Sequence, residues 1–296
     1  MITVMTPTYN RAYILHEAYE SLKKQTCMDF EWIIVDDGSA DDTEKLVQGW
    51  LNEENPFSIR YERQENGGKH RAVNRGVQLA KYDYFLILDS DDQLTENAVE
   101  LVHTWIDQIA GLEGFAGVAG LKGSGTAVVG GVPKKPYIDA TNLERQKYGL
   151  MGDKAEVFKT AILKKYPFPE FEGENFLRES ASWDRIAMAG YKLRWFSQVI
   201  YQCEYIADGL TQNANAAIYA KNFQGYVYCT KIYLQTRSKM QGLNKLGEVC
   251  CVTKCKGLSL SAAAKLFGVS VVWMPLGRAY FGLRQLAKRI LLRKAK

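Results

Sequence analysis

Three carboxylates follow a predicted strand within four residues. The strand, residues 82–88, is an aromatic and β-branched run typical of a buried strand, and Asp89, Asp91 and Asp92 come directly after it. Like charges held close together raise one another's pKa or require a cation. On an extended strand Asp89 and Asp91 point the same way, about 7 Å apart at the Cα, which suits a divalent cation and the diphosphate that it neutralises. Alternatively, Asp92 or Thr95 caps a helix from residue 96 in a solvated turn.

The elements that position these acids alternate between strands and helices. Strands are predicted over residues 2–6, 30–35, 57–61 and 82–88, and helices over 11–25, from 42, and over 69–80. Pro7 is expected to end the first strand. The alternation predicts an α/β fold with a mainly parallel, doubly wound sheet, whose ligands bind at the carboxyl ends of the strands. Polar clusters at 6–10, 36–39 and 89–92 all fall at those ends.

The composition and charge of the chain favour some kinds of binding site and partner and disfavour others. The chain has 296 residues, 47% of them hydrophobic, and a net charge of +5. Residues 231–296 hold 14 Lys and Arg against the single acid Glu248, a net +13 that leaves −8 for residues 1–230. A basic tail of this kind favours an anionic surface. The six cysteines form no Cys-x-x-Cys, which favours reduced thiols in the cytoplasm and disfavours a zinc site. Neither a dinucleotide-binding glycine motif nor a P-loop is present.

Four motifs resemble those of glycosyltransferase family 2, the inverting enzymes with the GT-A fold, which include bacterial capsule, exopolysaccharide and cell-wall sugar transferases. Their order and spacing fit across roughly the first 110 residues. The motifs are Thr6-Pro7-Thr8-Tyr9-Asn10-Arg11, Val35-Asp36-Asp37-Gly38-Ser39 with Asp42-Thr43, Asn66-Gly67-Gly68-Lys69 with Ala72 and Asn74, and Leu88-Asp89-Ser90-Asp91-Asp92.

The resemblance implies a nucleotide-sugar donor, often UDP-linked, and a divalent metal, Mn²⁺ or Mg²⁺. Asp37 would accept a hydrogen bond from the pyrimidine ring, and Lys69 would face the base or the diphosphate. Asp89 would contact the ribose or the sugar, and Asp91 would ligate the metal. The donor-binding residues that the resemblance implies are Thr6, Pro7, Tyr9, Asp37, Asn66, Gly68, Lys69, Asn74, Asp89, Ser90 and Asp91.

The acceptor side is expected in residues 111–215. The family's base lies six residues before a helix Arg, here Arg185, so that Glu179 takes the position, with Glu174 as the runner-up. The chain reads Arg178-Glu179 where the family has a Glu-Asp pair. Asp208 stands near the place of a His that completes the metal site in many relatives, so the predicted metal ligands are Asp89, Asp91 and Asp208; an Asp-Gly turn is the alternative for Asp208.

Residues 216–296 read as helical and basic. The uncharged stretch between Lys265 and Arg278 contains Pro275 and is too short to span a bilayer, which takes about 20 residues. Beyond it, apolar residues recur at helical spacing among Arg and Lys, a pattern typical of a helix lying in an anionic membrane interface. A core-packing helix with a solvated basic face is the alternative. Nucleic acid is not expected as a partner, because no binding motif accompanies the charge; a homo-oligomer is left open.

The sequence therefore predicts a GT-A domain in two halves, donor-binding residues 1–110 and acceptor-binding residues 111–215, with a C-terminal extension over 216–296. The expected activity is inverting transfer from a UDP-sugar to a hydroxyl of a glycan or lipid-linked glycan, at the cytoplasmic face of the membrane. The rivals are an inactive membrane adaptor that retains the domain, and a sugar-1-phosphate nucleotidyltransferase. Thr6-Pro7-Thr8 stands where the latter's glycine-rich signature would be.

Overall fold

A computed structural model describes residues 1–203 and 215–294. These residues form two compact units. The first comprises Met1–Pro169 and Ser182–Ala207, and the second comprises Glu170–Ala181 and Asp208–Lys296. The predicted donor half thus lies in the first unit, whereas the predicted acceptor half is divided between the two units, because the segment Glu170–Ala181 groups with the C-terminal helices.

The first unit contains ten strands and most of the α/β helices. The strands are β1 (Ile2–Thr8), β2 (Phe30–Asp36), β3 (Ser58–Arg63), β4 (Tyr84–Ile87), β5 (Asp92–Leu94), β6 (Phe115–Ser124), β7 (Ala127–Val128), β8 (Tyr137–Ala140), β9 (Lys154–Lys159) and β10 (Lys192–Cys203). The helices are α1 (Leu15–Lys23), α2 (Thr43–Leu51), α3 (Lys69–Leu79), α4 (Ala98–Asp107), a 3₁₀ helix (Asn142–Tyr148), α5 (Thr160–Lys165) and α6 (Ser180–Met188), whose first two residues belong to the second unit.

One mixed sheet runs in the order β3-β2-β1-β4-β9-β6-β10-β5. Strands β1 to β4 pair in parallel, as predicted, and β9 then turns the sheet by pairing antiparallel with both β4 and β6. The carboxyl ends of β1, β2 and β4 therefore lie along one edge. The amino end of β9 meets them there, because it runs the opposite way.

Pro7 does not end the first strand, contrary to expectation. Residues 2–8 of β1 pair with β2 throughout, and Pro7 is opposite Val35. The carbonyl of Met5 accepts a hydrogen bond from Leu88 on the β4 side, so the missing N–H of Pro7, two residues later, faces the same side. The last β4 partner of β1 is Ile87, opposite Met5, and β4 has ended where Pro7 would need it. The strand tolerates proline because no ladder bond is lost there.

The core of the first unit lies between the sheet and its helices. Both β1 and β2 are buried along their whole length; most residues of β2 are apolar, whereas β1 also buries Thr3, Thr6 and Thr8. Helix α1 buries Leu15, Ala18, Tyr19 and Leu22, the spacing of one helical face. The ring of Tyr19 stacks on Trp50 at 4.4 Å between centroids. These contacts fix the helices against the strands whose ends carry the polar clusters.

The second unit is helical, with its own core. Its helices are α7 (Ala216–Lys221), α8 (Phe223–Thr236), α9 (Lys239–Cys255), α10 (Leu260–Phe267) and α11 (Trp273–Lys294). Helix α11 crosses α9 where two glycines meet: a Cβ on Gly247 would lie 2.1 Å from the Cβ of Phe281 and 2.6 Å from the carbonyl oxygen of Gly277. Only glycine lets these helices approach so closely.

Adding a methyl group at this crossing should weaken the second unit. Gly247→Ala is expected to lower the free energy of unfolding by about 1–3 kcal/mol, because α9 and α11 must separate. Gly282→Ala is the matched control, since a Cβ there meets nothing within 4 Å and alanine favours the helix. Urea denaturation followed by circular dichroism measures both. Equal stability of the two variants would contradict the close crossing.

Candidate active site

The three carboxylates after β4 lie in a turn. The chain leaves β4 at Ile87, and the N–H of Asp92 donates to the carbonyl of Asp89 at 3.1 Å. Asp92 then begins β5, which pairs antiparallel with β10. The expectation that Asp89 and Asp91 continue an extended strand is therefore wrong. Asp92 does not cap a helix either, because α4 begins only at Ala98.

Asp89 is held by two groups from distant elements. The ammonium of Lys69, the first residue of α3, lies 2.7 Å from its Oδ1, and its backbone N–H donates to the hydroxyl of Tyr201 at 2.9 Å. Burial would raise the pKa of Asp89, but the charges of Lys69 and Lys122 outweigh it and hold that pKa below its usual value. Lys69 was predicted to face the base or the diphosphate; in this structure it pairs with Asp89.

Among the three acids of the turn, Asp92 is the one whose carboxylate is most costly to ionise. Burial, followed by the neighbouring Asp89, raises the pKa of Asp92 to about 7. Lys122 on β6 opposes this from 3.9 Å, and the Tyr201 hydroxyl hydrogen-bonds the carboxylate. The ammonium of Lys122 also lies 3.8 Å from the ring centre of Tyr201. Lys122 on β6 and Tyr201 on β10 are site residues that the sequence did not reveal, because strand pairings between distant segments bring them to the turn.

Asp91 is the remaining acid of the turn, beside Asp89. Burial and the Asp89 charge raise the pKa of Asp91, although Arg11 and Lys69 act in the opposite direction. Such a site favours a further cation. Among the described residues no three His, Cys, Asp or Glu side chains converge on one point. Two carboxylates with the remaining positions left to phosphate and water fit the way Mg²⁺ and Mn²⁺ bind, so the donor set fits a nucleotide-bound divalent ion.

Asp37 is saturated with hydrogen bonds from the loop after β3. Its Oδ1 accepts from the Gln64 side chain at 2.7 Å and the Gly67 N–H at 3.0 Å. Its Oδ2 accepts from the Asn66 side chain at 3.2 Å and the Gly68 N–H at 2.6 Å. A carboxylate has about four acceptor positions, and all four are used here. Asp37 therefore positions the Asn66–Gly68 loop and the start of α3; its contact with the pyrimidine stays a prediction.

The end of β1 is tied to the end of β2. Asn10 adopts a left-handed conformation at φ 53°, its N–H donates to the Ser39 hydroxyl and its side chain accepts from the Ala40 N–H, both at 2.8 Å. Tyr9 next to it is 48% exposed, free to stack on a planar ligand. Thr6 differs from expectation, since its side chain is buried and accepts a hydrogen bond from the Trp32 indole. Any part that Thr6 plays in a base pocket falls to its backbone.

Two other predicted site residues bind backbone instead. The Asn74 amide exchanges two hydrogen bonds of 2.9 Å with the backbone of Phe168, which fixes a proline-flanked segment to α3. The Glu174 carboxylate accepts from the N–H groups of Gln224 and Gly225 at 2.6 and 2.8 Å, so it caps the start of α8. These contacts give both residues a positioning role and favour Glu179 over Glu174 as the base.

Glu179 and Asp208 complete the predicted set. Glu179 is exposed and directly precedes α6, which begins at Ser180. Asp208 lies outside the described residues. Of the predicted donor residues, Lys69, Asp89, Ser90 and Asp91 come together in one cluster, and Asp37, Asn66 and Gly68 form the loop from which Lys69 extends.

Comparison with known proteins identifies a sequence family over part of the chain. Residues 3–116 match the sequence model of the family described as Glycosyl transferase family 2. Residues 3–116 thus form a glycosyltransferase family 2 domain. The matched segment ends at the start of β6, so it contains the Asp37 loop and the carboxylate turn but neither Lys122 nor Glu179.

Two curated relatives come from bacteria. Glycosyltransferase GlyG of Streptococcus pneumoniae is 37% identical over 109 residues, which cover 36% of this chain and 36% of GlyG. The chain thus spans about a third of that relative. The GalNAc(5)-diNAcBac-PP-undecaprenol beta-1,3-glucosyltransferase of Campylobacter jejuni is 26% identical over 248 residues, covering 78% of this chain and 73% of that protein. The match to GlyG is about as long as the segment that matches the family 2 model.

A solved structure shares the fold of nearly the whole chain. Residues 1–349 of TarS from S. aureus, crystallised in complex with UDP-GlcNAc, superpose with a TM-score of 0.62 at 20% identity, covering 97% of this chain and 92% of that one. The likeness shows the fold: a mixed α/β domain of the GT-A kind, followed by C-terminal helices.

Because the pKa of Asp92 is raised, the stability of the metal-free protein should depend on pH. Between its unfolded value of 3.8 and its folded value of about 7, the folded protein holds the extra proton, so stability falls as the pH rises through that range. Asp92→Asn cannot titrate. In EDTA its free energy of unfolding should exceed that of wild type by about 1–3 kcal/mol at pH 8 and not at pH 4, measured by urea denaturation. Parallel pH profiles for the two proteins would contradict the assignment.

Proposed function

We propose that the protein is an inverting glycosyltransferase that moves one sugar from a UDP-sugar to a hydroxyl of a glycan or lipid-linked glycan. The observation that carries the proposal is the carboxylate turn of Asp89, Asp91 and Asp92 at the carboxyl edge of a parallel sheet, in a family 2 domain. That edge is where α/β sheets bind their ligands. The UDP-GlcNAc in the TarS crystals supports UDP as the carrier.

The edge offers complementary groups for each part of the donor. Tyr9, nearly half exposed at the end of β1, supplies a flat face for the base. The loop bound by Asp37 leads into the start of α3. Lys69, at that start, places a positive charge beside the carboxylate turn. Lys69 would exchange its bond to Asp89 for a contact with the donor. Asp89 would then be available to the ribose or the sugar.

Asp89 and Asp91 would hold a divalent cation, Mn²⁺ or Mg²⁺. When bound, such an ion supplies Lewis-acid stabilisation of the charge that develops on the leaving diphosphate. Asp91 has a raised pKa because of burial and the nearby Asp89, and a cation at this place would relieve that repulsion. Asp208 is proposed as a third ligand of the same cation.

The reaction needs one carboxylate base on the acceptor side. Glu179 is proposed for it on the family pattern, six residues before Arg185, and because Glu174 is engaged in capping α8. Glu179 takes the proton of the acceptor hydroxyl while the oxygen attacks the anomeric carbon. The bond from that carbon to the diphosphate breaks, and its electron pair leaves with UDP. A single displacement from the opposite face inverts the configuration.

A membrane-bound acceptor is supported by the surface of α11. Met274, Gly277 and Phe281 face α9, whereas Leu276, Leu283 and Ile290 recur every seven residues and are exposed. Leu283 follows Phe281 by two positions, about 200° around the helix, so this second apolar stripe faces away from the core. Arg278 and Arg284 are also exposed. An apolar stripe with basic residues fits the interface of an anionic bilayer.

No described helix is both long and apolar enough to cross a membrane. On the evidence of the exposed apolar stripe of α11, we propose peripheral binding to the inner face of the cell membrane. The six cysteines are free thiols, which supports a reducing compartment. The name of the Campylobacter jejuni relative contains an undecaprenol diphosphate, which supports a lipid-linked acceptor.

Turnover of UDP-sugars tests the proposed activity. Release of UDP from a panel of UDP-sugars with Mn²⁺ should be measurable for wild type, and Glu179→Gln should lower kcat by about 100-fold or more with UDP binding unchanged. Glu174→Gln is the matched control and should retain turnover while losing stability. If a folded wild-type protein binds UDP but turns over no UDP-sugar, the adaptor interpretation is favoured. Full activity of Glu179→Gln would contradict its role as the base.

Flotation with liposomes tests the membrane proposal. Deleting residues 257–296 would remove Phe267 and Met274 from the core of the second unit, so point substitutions are sharper. Leu283→Asp, at a side chain 67% exposed, should lower binding to anionic liposomes several-fold. Leu112→Asp, at a 43% exposed leucine of the first unit, is the control and should bind as wild type. Equal flotation of both variants would contradict docking through α11.

A further inference from the structure

The second unit contains a small pocket with two cations and several aromatic rings. Phe176 and Arg178 line it from the segment before α6, Tyr219 from α7, Tyr226 from α8 and Lys245 from α9. Its volume of about 20 Å³ leaves room for roughly one water molecule. The pocket therefore accepts one small polar group inserted from solvent, such as part of a phosphate.

Two cations in this pocket share a single carboxylate. Glu248 lies 2.5 Å from the ammonium of Lys245 and 4.0 Å from the guanidinium of Arg178. The three groups together carry one net positive charge. Lys245 is only 6% exposed, so its charge is poorly screened by water. Burial, and the nearby Arg178, lower the pKa of Lys245 even though Glu248 opposes them. An anion would relieve this excess of positive charge.

The pocket also holds polar hydrogens suited to an anionic oxygen. The hydroxyl of Tyr226, which lines the pocket, is buried and lacks a hydrogen-bond partner of good geometry among the described residues. The Arg178 guanidinium donates to the Tyr219 hydroxyl through Nε at 3.0 Å, and its side chain is 42% exposed. Lys245 thus lies at the floor of the pocket and Arg178 near its opening, an arrangement that offers charge-assisted hydrogen bonds.

The position of Arg178 in the sequence connects this pocket with the proposed reaction. Arg178 directly precedes Glu179, so one side of the pocket and the proposed base belong to the same segment of the chain. We propose that the pocket binds one phosphate group of the acceptor, and so places the acceptor beside Glu179. This inference rests on the proposed function for the role of the phosphate. The existence of the phosphate site rests on the pocket alone and is measurable without sugar transfer.

Removing a positive charge from the pocket and removing its negative charge should change phosphate binding in opposite directions. In EDTA, phosphorus NMR titration of the full chain with glucose 6-phosphate should show about tenfold weaker binding for Lys245→Met than for wild type. Glu248→Gln removes the competing internal carboxylate and should tighten binding by roughly threefold to tenfold. Structural damage would only weaken binding, so a tighter complex identifies the site even though Glu248→Gln lowers stability. Lys69→Met, in the donor site, is the control and should leave the Glu248→Gln effect intact.

Two results would overturn the proposal. One is a sugar-phosphate affinity that is the same in wild type, Lys245→Met and Glu248→Gln. The other is that phosphatidylglycerol vesicles, and not glucose 6-phosphate, respond to Glu248→Gln, which would assign the pocket to a membrane headgroup. Loss of turnover in Glu179→Gln bears on the proposed function and changes neither measurement, so the two claims fail separately.

Discussion

The chemistry of this protein depends on an excess of negative charge at the end of one short strand. Asp89, Asp91 and Asp92 lie in a single turn, where burial makes each ionised carboxylate costly. Lys69 neutralises one of them at 2.7 Å and Lys122 approaches another at 3.9 Å. Asp91 and Asp92 nevertheless keep raised pKa values. A site that remains short of positive charge after its own lysines are counted supports the proposal of a bound cation with its accompanying diphosphate.

The other elements of the first unit place groups around this turn. The loop fixed by Asp37 delivers Lys69 at the start of α3, and β6 and β10 supply Lys122 and Tyr201 from far along the chain. The Tyr201 hydroxyl bridges two parts of the turn, accepting from the Asp89 N–H and hydrogen-bonding the Asp92 carboxylate. Because these supports are backbone bonds and buried side chains, the donor edge is organised before any ligand arrives.

The strands and polar clusters of the first hundred residues were predictable because they are local. Residues 32–35 of β2 are a continuous apolar run, the apolar residues of α1 recur at helical spacing, and Asp37 and Asp89 lie just after the ends of strands. Lys122 and Tyr201 were not predictable, since their roles arise from strand pairings between distant segments. Asn74, Glu174 and Thr6 carry motif positions, yet their partners are the backbone of Phe168, the start of α8 and Trp32. A motif shows the type of residue required; only the fold shows what it touches.

Calorimetric titration of UDP into the purified protein tests the central claim most directly. It is made with Mn²⁺ and with EDTA, on wild type and on Asp91→Ala. The account predicts binding to wild type that requires the metal and is lost, or weakened at least tenfold, in the variant. Binding of equal strength with EDTA, or with Asp91→Ala, would contradict a metal-dependent nucleotide site at the carboxylate turn. So would the absence of any binding by the folded wild-type protein.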